Sequence, residues 1–143
     1  MDVKNFLSRP YELDQEINLK LRHLANYRSL LDTSSSELSL TPHCSVPRNR
    51  ALENLMAKVI DLEHEVDDLI DEYVDAREQV QQLIDTLPST LERQILEDRY
   101  LLFMKWEEIA NAVNYSLRSI HRVEQEALLS LTESWHIMAH DVT

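Results

Sequence analysis

Apolar residues recur at steps of three and four through most of this chain, and the stretches that interrupt them are short. Between Tyr11 and Leu31 they fall at Leu13, Ile17, Leu21, Leu24, Tyr27 and Leu31, the spacing of one helical face, which predicts a helix of about 20 residues within an N-terminal segment 1–32. The pattern gives out in "DTSSSELSLTPHCSVPR", where serines, threonines and two prolines offer the backbone local alternatives to a helix. Residues 33–47 therefore read as a flexible linker.

The segment 48–85 is the most regular. Leu52, Leu55, Val59, Leu62, Val66, Leu69, Tyr73, Ala76, Val80 and Leu83 alternate steps of three and four, the period of a coiled-coil seam with β-branched residues prominent at a and leucine at d. A helix of about 35 residues, roughly 50 Å long, is expected. Its seam has two possible partners: the N-terminal helix folded back as an internal hairpin, or a second copy of the chain. The spacing favours a homodimer through Leu55, Val59, Leu62, Val66, Leu69 and Tyr73.

"DTLPST" ends that helix, because Pro88 biases Leu87 away from the α region and suits the start of a new helix. Leu91, Ile95, Leu96 and Tyr100 mark the inner face of the next one, within a C-terminal domain 86–134 followed by a tail, 135–143. In "WEEIANAVNYSLRSIHRVEQEAL" two short helical patterns then meet at Asn114-Tyr115-Ser116. Trp106, Ile109, Ala110 and Val113 form one stripe, with Ala110 small enough to let a second helix cross closely. Asn114 is the expected left-handed residue of the turn, Tyr115 the apolar residue tucked beneath it, and Ser116 the N-cap of the second helix.

On a wheel of 100° per residue, Leu117, Ile120, Val123, Ala127, Leu128 and Leu131 lie within about 80° of the inner direction, while Arg118, Arg122 and Gln125 point the opposite way. Two arginines and a glutamine on the exposed face of such a helix are the residue types that bind base edges and phosphates in a major groove. With Ser116, Leu117, Ser119 and His121 beside them, Arg118, Arg122 and Gln125 form the candidate DNA-reading set. An ordinary solvated helix face is the plainer alternative.

The stretch "LPSTLERQILEDRYLLFMKWEEIANAVNYSLRSIHRVEQEALLSL" resembles the promoter-reading C-terminal helix-turn-helix of sigma factors, their region four, in its leucine-proline start, its "RY" and its "WEEIA". With the acidic helix "VIDLEHEVDDLIDEYVDAREQVQQLID" before it, the chain is still more similar to a family of small phage and integrative-element regulators, RinA-like or ArpU-like. The resemblance covers roughly residues 48–131 and implies a sigma-like or late-gene transcription regulator whose second helix reads DNA. Two departures stand out. Glu124, near the edge of the inner face, replaces a position that is often histidine in the phage family and apolar in sigma factors, and an arginine such as Arg99 is its expected partner. Leu101-Leu102 and Asn114 stand where sigma factors place glycines.

Composition sharpens this picture. The chain of 143 residues contains no glycine and four prolines, which disfavours folds built on tight hairpins and supports an all-α reading: a helical hairpin or coiled coil with a long acidic heptad helix, then a sigma-like helix-turn-helix. Its net charge of −12 is uneven, at −1 over residues 1–47, −7 over 48–85 and −4 over 86–143. Phosphate is repelled by such a chain, so double-stranded DNA must be met by a local patch. The single cysteine, Cys44, excludes an internal disulfide, and neither a signal-peptide core nor an apolar run of roughly 18 residues occurs. A soluble protein of the cytoplasm, in a bacterial host cell, is expected, with no membrane partner.

Other chemistry is thin. His136 and His140 have helical metal-pair spacing but no third ligand nearby, His43-Cys44 is an isolated pair, and Asp67, Asp68, Asp71 and Glu72 read as a solvated face. No phosphate loop or catalytic constellation is found, so neither an enzyme nor a cofactor or metal is expected. The expected function is that of a phage-type, sequence-specific DNA-binding transcription regulator, with RNA polymerase or another regulator as a possible protein partner. Two alternatives use the same parts. A small terminase subunit would bind packaging-site DNA as a ring, and an acidic interaction protein would use the long helix against a basic surface of RNA polymerase or a repressor.

Overall fold

The computed structural model describes the backbone of residues 2–40 and 46–141 and the side chains of residues 2–33 and 49–137. It is all-helical, with no strand among the described residues. Helix α1 spans Val3–Leu40, α2 Val46–Ile84, α3 Thr90–Tyr100, α4 Trp106–Val113 and α5 Leu117–Asp141. The described helices include none long and apolar enough to cross a membrane.

Helix α1 begins well before the expected start near Tyr11. Asp2 supplies the cap: its Oδ1 accepts from the Lys4 amide at 2.7 Å and its carbonyl from the Phe6 amide at 3.1 Å, satisfying donors that a helix start leaves orphaned. Pro10 lies inside the helix and is fully buried, so apolar burial is set against a missing backbone bond that costs about 3 kcal/mol or more in an isolated helix. At the other end the helix runs on to Leu40, and α2 starts at Val46, so much of the segment expected as a linker is helical. The hydroxyl of Thr33 donates to the Ser29 carbonyl at 3.0 Å, a bond that lets a small polar residue remain in the helix. Residues 41–45, which include His43 and Cys44, lie outside the described residues.

The chain forms two compact units. One comprises Leu13–Glu72, a hairpin of α1 and α2. Its buried residues are Leu13, Ile17 and Leu24 on α1 and Val59 and Val66 on α2. Two ion pairs join the helices, Lys20 to Glu65 at 3.0 Å and Arg28 to Glu63 at 2.6 Å, and being largely exposed they contribute at most about 1 kcal/mol each. Apolar burial is the stronger term. Val59 and Val66, expected to meet a second chain, are covered from within this one, while Leu55, Leu62 and Leu69 are half-buried. Leu13, Ile17 and Leu24 of α1, all within the stretch that the spacing marks as helical, supply the apolar cover, so the seam is met by the folded-back N-terminal helix. Met56, Ile60 and Ile70 on the outer side of α2 remain exposed.

The second unit comprises Met1–Glu12 and Tyr73–Thr143. Its larger core gathers Val3 and Leu7 from α1, Val80, Leu83 and Ile84 from α2, Leu87 from the turn, Leu96 and Tyr100 from α3, Leu101 after it, and Ala127 and Leu131 from α5. Tyr73, the last residue of the expected dimer seam, is half-buried in this unit and its hydroxyl accepts from Arg77 at 3.2 Å. Phe6 packs on Trp135 with ring centroids 4.5 Å apart. After α2 the chain turns through Thr86 and Leu87, whose amides bond to the carbonyls of Leu83 and Ile84. Ser89 then caps α3, its side chain accepting from the Glu92 amide. A smaller core of Ile95, Ile109, Ala110 and Ile120 lies between α3, α4 and α5, with Leu91, Met104, Trp106, Val113 and Val123 packed against it.

The two faces of α2 predict opposite outcomes for one substitution. Val66→Asp places a charge in the hairpin interior, at a cost of several kcal/mol, and is expected to lower the melting temperature followed by circular dichroism. Ile60→Asp, at a residue 52% exposed, leaves it nearly unchanged in the monomer. Equal melting temperatures for the two variants would contradict the packing of the hairpin.

Candidate nucleic-acid interface

The helix-turn-helix is built from α4, the turn and α5. On α4, Ile109 and Ala110 are buried and Trp106 and Val113 lie half-buried beside them, the stripe that the spacing predicts. The helix ends at Asn114, whose φ of 59° and ψ of 40° are left-handed and whose amide bonds to the Ala110 carbonyl. Asparagine is among the few residues other than glycine that enter this region at modest cost. Ser116 opens α5 as a cap: its Oγ accepts from the Ser119 amide at 3.2 Å and donates to the Ser119 hydroxyl at 3.0 Å.

Two expectations about this turn fail. Tyr115 does not tuck under it: the side chain is 45% exposed, and only its amide serves the turn, bonding to the Ala110 carbonyl at 3.0 Å. The space beneath is already filled by Ile109, Val113 and Ile120. Leu117 is likewise exposed at 42%, although the wheel places it toward the core. As the first residue of α5 it has the exposed Tyr115 and Ser116 beside it, and no further turn of helix to cover it. Ile120, Ala127 and Leu131 are fully buried, as expected, and Val123 and Leu128 partly so.

Glu124 is buried, and its partner differs from the expected Arg99. The Tyr100 hydroxyl donates to Glu124 Oε1 at 2.9 Å, while His121 Nδ1 lies 3.7 Å from Oε2. Arg99 is occupied elsewhere: its guanidinium stands 4.8 Å over the Trp106 ring and Nη1 donates to the Met104 carbonyl at 3.0 Å. Trp106 in turn meets the His121 ring edge-on, with centroids 5.0 Å apart. Two routes therefore connect the end of α3 to one turn of α5, one through Tyr100 and Glu124 and one through Arg99, Trp106 and His121. The composition of the pattern held no sign of the first, since an inward glutamate suggests a cation before it suggests a phenol.

Burial pushes the Tyr100 hydroxyl well above the ordinary tyrosine value, the charge and hydrogen bond of Glu124 push the same way, and Arg99 opposes them. At the end of α3, Asp98 is also raised, by burial and then by the neighbouring charge of Glu97.

Of the seven residues expected to read DNA, five line one open hollow of about 420 Å³: Arg118, Ser119, His121, Arg122 and Gln125. Ser116 and Leu117 are exposed at the start of the same helix but do not line it. Arg118 and Arg122 form no ion pair among the described residues, so their donors face outward in a chain that is otherwise strongly acidic. Such donors suit guanine edges and phosphates, and the amide of Gln125 suits an adenine edge. Among the described residues no three acidic, histidine or cysteine side chains cluster as a metal site would require, and the side chain of His140 lies outside them. No protein-family model, curated protein or solved structure matches the chain.

The phenol sets a pH dependence. Because the folded state holds the Tyr100 proton more tightly than the unfolded chain does, its contribution is complete below pH 10.0 and is lost as pH rises toward the folded value. Urea unfolding is expected to show a loss of stability that begins at about pH 10 and continues upward, and Tyr100→Phe to remove that component while costing about 1–3 kcal/mol at neutral pH through loss of the Glu124 hydrogen bond. An unaltered alkaline slope in the variant would contradict the assignment. At the turn, Asn114→Gly is expected to be tolerated and Asn114→Val to cost about 1–2 kcal/mol, read as a difference in melting temperature.

Proposed function

We propose that this chain is a sequence-specific DNA-binding transcription regulator of the sigma-like, RinA-like or ArpU-like kind, with α5 as its recognition helix. The observation that carries the reading is the convergence of Arg118, Ser119, His121, Arg122 and Gln125 on one open hollow at the start of the second helix of a helix-turn-helix. That end of the helix is the one that approaches base edges in motifs of this class. The two cross-links onto α5, Tyr100–Glu124 from α3 and Trp106–His121 from α4, support it further, because base readout needs a helix held in one orientation. Double-stranded DNA is the partner, and two copies on a two-fold site are the arrangement proposed for it. Since Val59 and Val66 are occupied within the chain, a second copy has to use other surface.

A second reading has its own observation. Met56, Ile60 and Ile70 are exposed on an α2 whose residues 61–72 are rich in Asp and Glu, a combination that suits the basic surface of another protein such as RNA polymerase or a repressor. It assigns the long helix, rather than α5, the central role.

Alanine substitutions separate the two. On a site selected from random duplex DNA, Arg118→Ala or Arg122→Ala is expected to cost about 1–3 kcal/mol and relax the preference at one base pair if the arginine reads a base. A phosphate contact instead weakens all sequences alike and lowers the salt slope by about one. Both side chains are exposed, so the double variant stays folded. Unchanged DNA binding by that folded variant would remove α5 from the reading and move the acidic helix to first place.

A further inference from the structure

A second concave site, separate from the α5 hollow, lies in the same unit. Ser8, Tyr11, Arg99, Tyr100, Phe103 and Lys105 line a cleft of about 300 Å³, at the lower end of the range of small-molecule sites. Its polar groups are free to bind. Arg99 spends Nη1 on the Met104 carbonyl and one face of its guanidinium plane on Trp106, which leaves further N–H donors of its five. Lys105, exposed at the N-cap of α4, makes no side-chain cap bond, and among the described residues neither it nor the Tyr11 hydroxyl has a hydrogen-bond partner.

The apolar wall is formed at some conformational cost. Phe103 has a φ of 60°, in the left-handed region that a bulky side chain seldom enters. That geometry sets its ring edge-on to Tyr11, with centroids 5.4 Å apart. Two cations and a phenol hydroxyl thus converge beside two aromatic rings, in a chain whose net charge is −12.

We infer that this cleft binds a small phosphate monoester bearing an aromatic ring, with Lys105, Arg99 and the Tyr11 hydroxyl on the phosphate and Phe103 and Tyr11 against the ring. Neither group of residues accounts for the ligand alone: cations without the rings would suit any anion, and rings without the cations would suit a neutral aromatic. The same Arg99 stands over Trp106, so a phosphate held by its remaining in-plane donors changes the charge above the indole.

The smallest probe with both parts is phenyl phosphate. Titrated into the full chain and followed by calorimetry, it is expected to saturate, with inorganic phosphate binding roughly tenfold more weakly for want of the ring. In a Trp135→Phe background Trp106 is the one tryptophan left of the chain's two, and its emission is expected to change along the same curve as phosphate neutralises the guanidinium above it. Lys105→Gln, an exposed substitution whose folding is checked by its melting temperature, is expected to weaken phenyl phosphate about tenfold by loss of a charge-assisted hydrogen bond, and Tyr11→Phe by a smaller factor. No saturation up to about 10 mM, or equal affinity in Lys105→Gln, overturns the site. Equal binding of phosphate and phenyl phosphate overturns the aromatic class. If phenyl phosphate fails to bind while Lys105→Gln weakens random duplex DNA of every sequence alike, the cations serve a nucleic-acid backbone and the proposal falls. None of these outcomes depends on whether Arg118 and Arg122 read bases.

Discussion

A carboxylate in an apolar interior has to be held by a donor, and here the one hydrogen bond from the Tyr100 hydroxyl to Glu124 meets that requirement. Much else in the C-terminal unit follows from it. Glu124 sits on α5 and Tyr100 closes α3, so the bond fixes where α5 can rest against α3. Losing the donor would leave a buried charge unpaired, which penalises any other register of the two helices more than an apolar contact would. Ile120 and Ala127, on either side of Glu124, then fall into their two cores, and Arg118, Arg122 and Gln125 are carried to the outside. The polar interior and the exposed cationic face are thus two sides of one constraint.

The fold class was legible because the signals for it are local. Helical periodicity, a chain with no glycine, an asparagine at the turn and a serine after it each act over a few residues, and each is found in the structure: all-helical, with Asn114 left-handed and Ser116 capping α5. What was not legible depends on residues far apart in the chain. Wheel angles placed Leu117 inside, but burial requires a neighbour to cover it, and the end of α5 offers none. Charge suggested Arg99 for Glu124, but Trp106 and the Met104 carbonyl occupy that guanidinium. Serine and proline content suggested a linker at 33–47, and apolar spacing a start near Tyr11, yet Asp2 caps the helix early and α1 and α2 extend toward each other.

Within the candidate interface the same division holds. Periodicity alone put Arg118, Arg122 and Gln125 on one face, because side-chain direction on a single helix follows from spacing. The residues that position this face were invisible to it. His121 was read as a neighbour of the arginines, whereas it also links Trp106 and Glu124, and Tyr100 was read simply as an inner-face residue. The cleft with Lys105 and Phe103 had no sequence signal at all, since it depends on a backbone conformation that an aromatic residue rarely takes.

That conformation bears on the unfolded state as well as the folded one. A glycine at position 103 would enter the left-handed region freely, but it would also bring a wider ensemble of unfolded conformations, an entropic disadvantage of about 0.4–1 kcal/mol. Phenylalanine incurs about 1–2 kcal/mol of local strain at a φ of 60° and recovers about 0.5–1.5 kcal/mol from its edge contact with Tyr11. These amounts nearly cancel. A chain that dispenses with glycine therefore need not be less stable for it, because the stiffness of its denatured ensemble offsets the strain at the residues where its folded backbone turns left-handed.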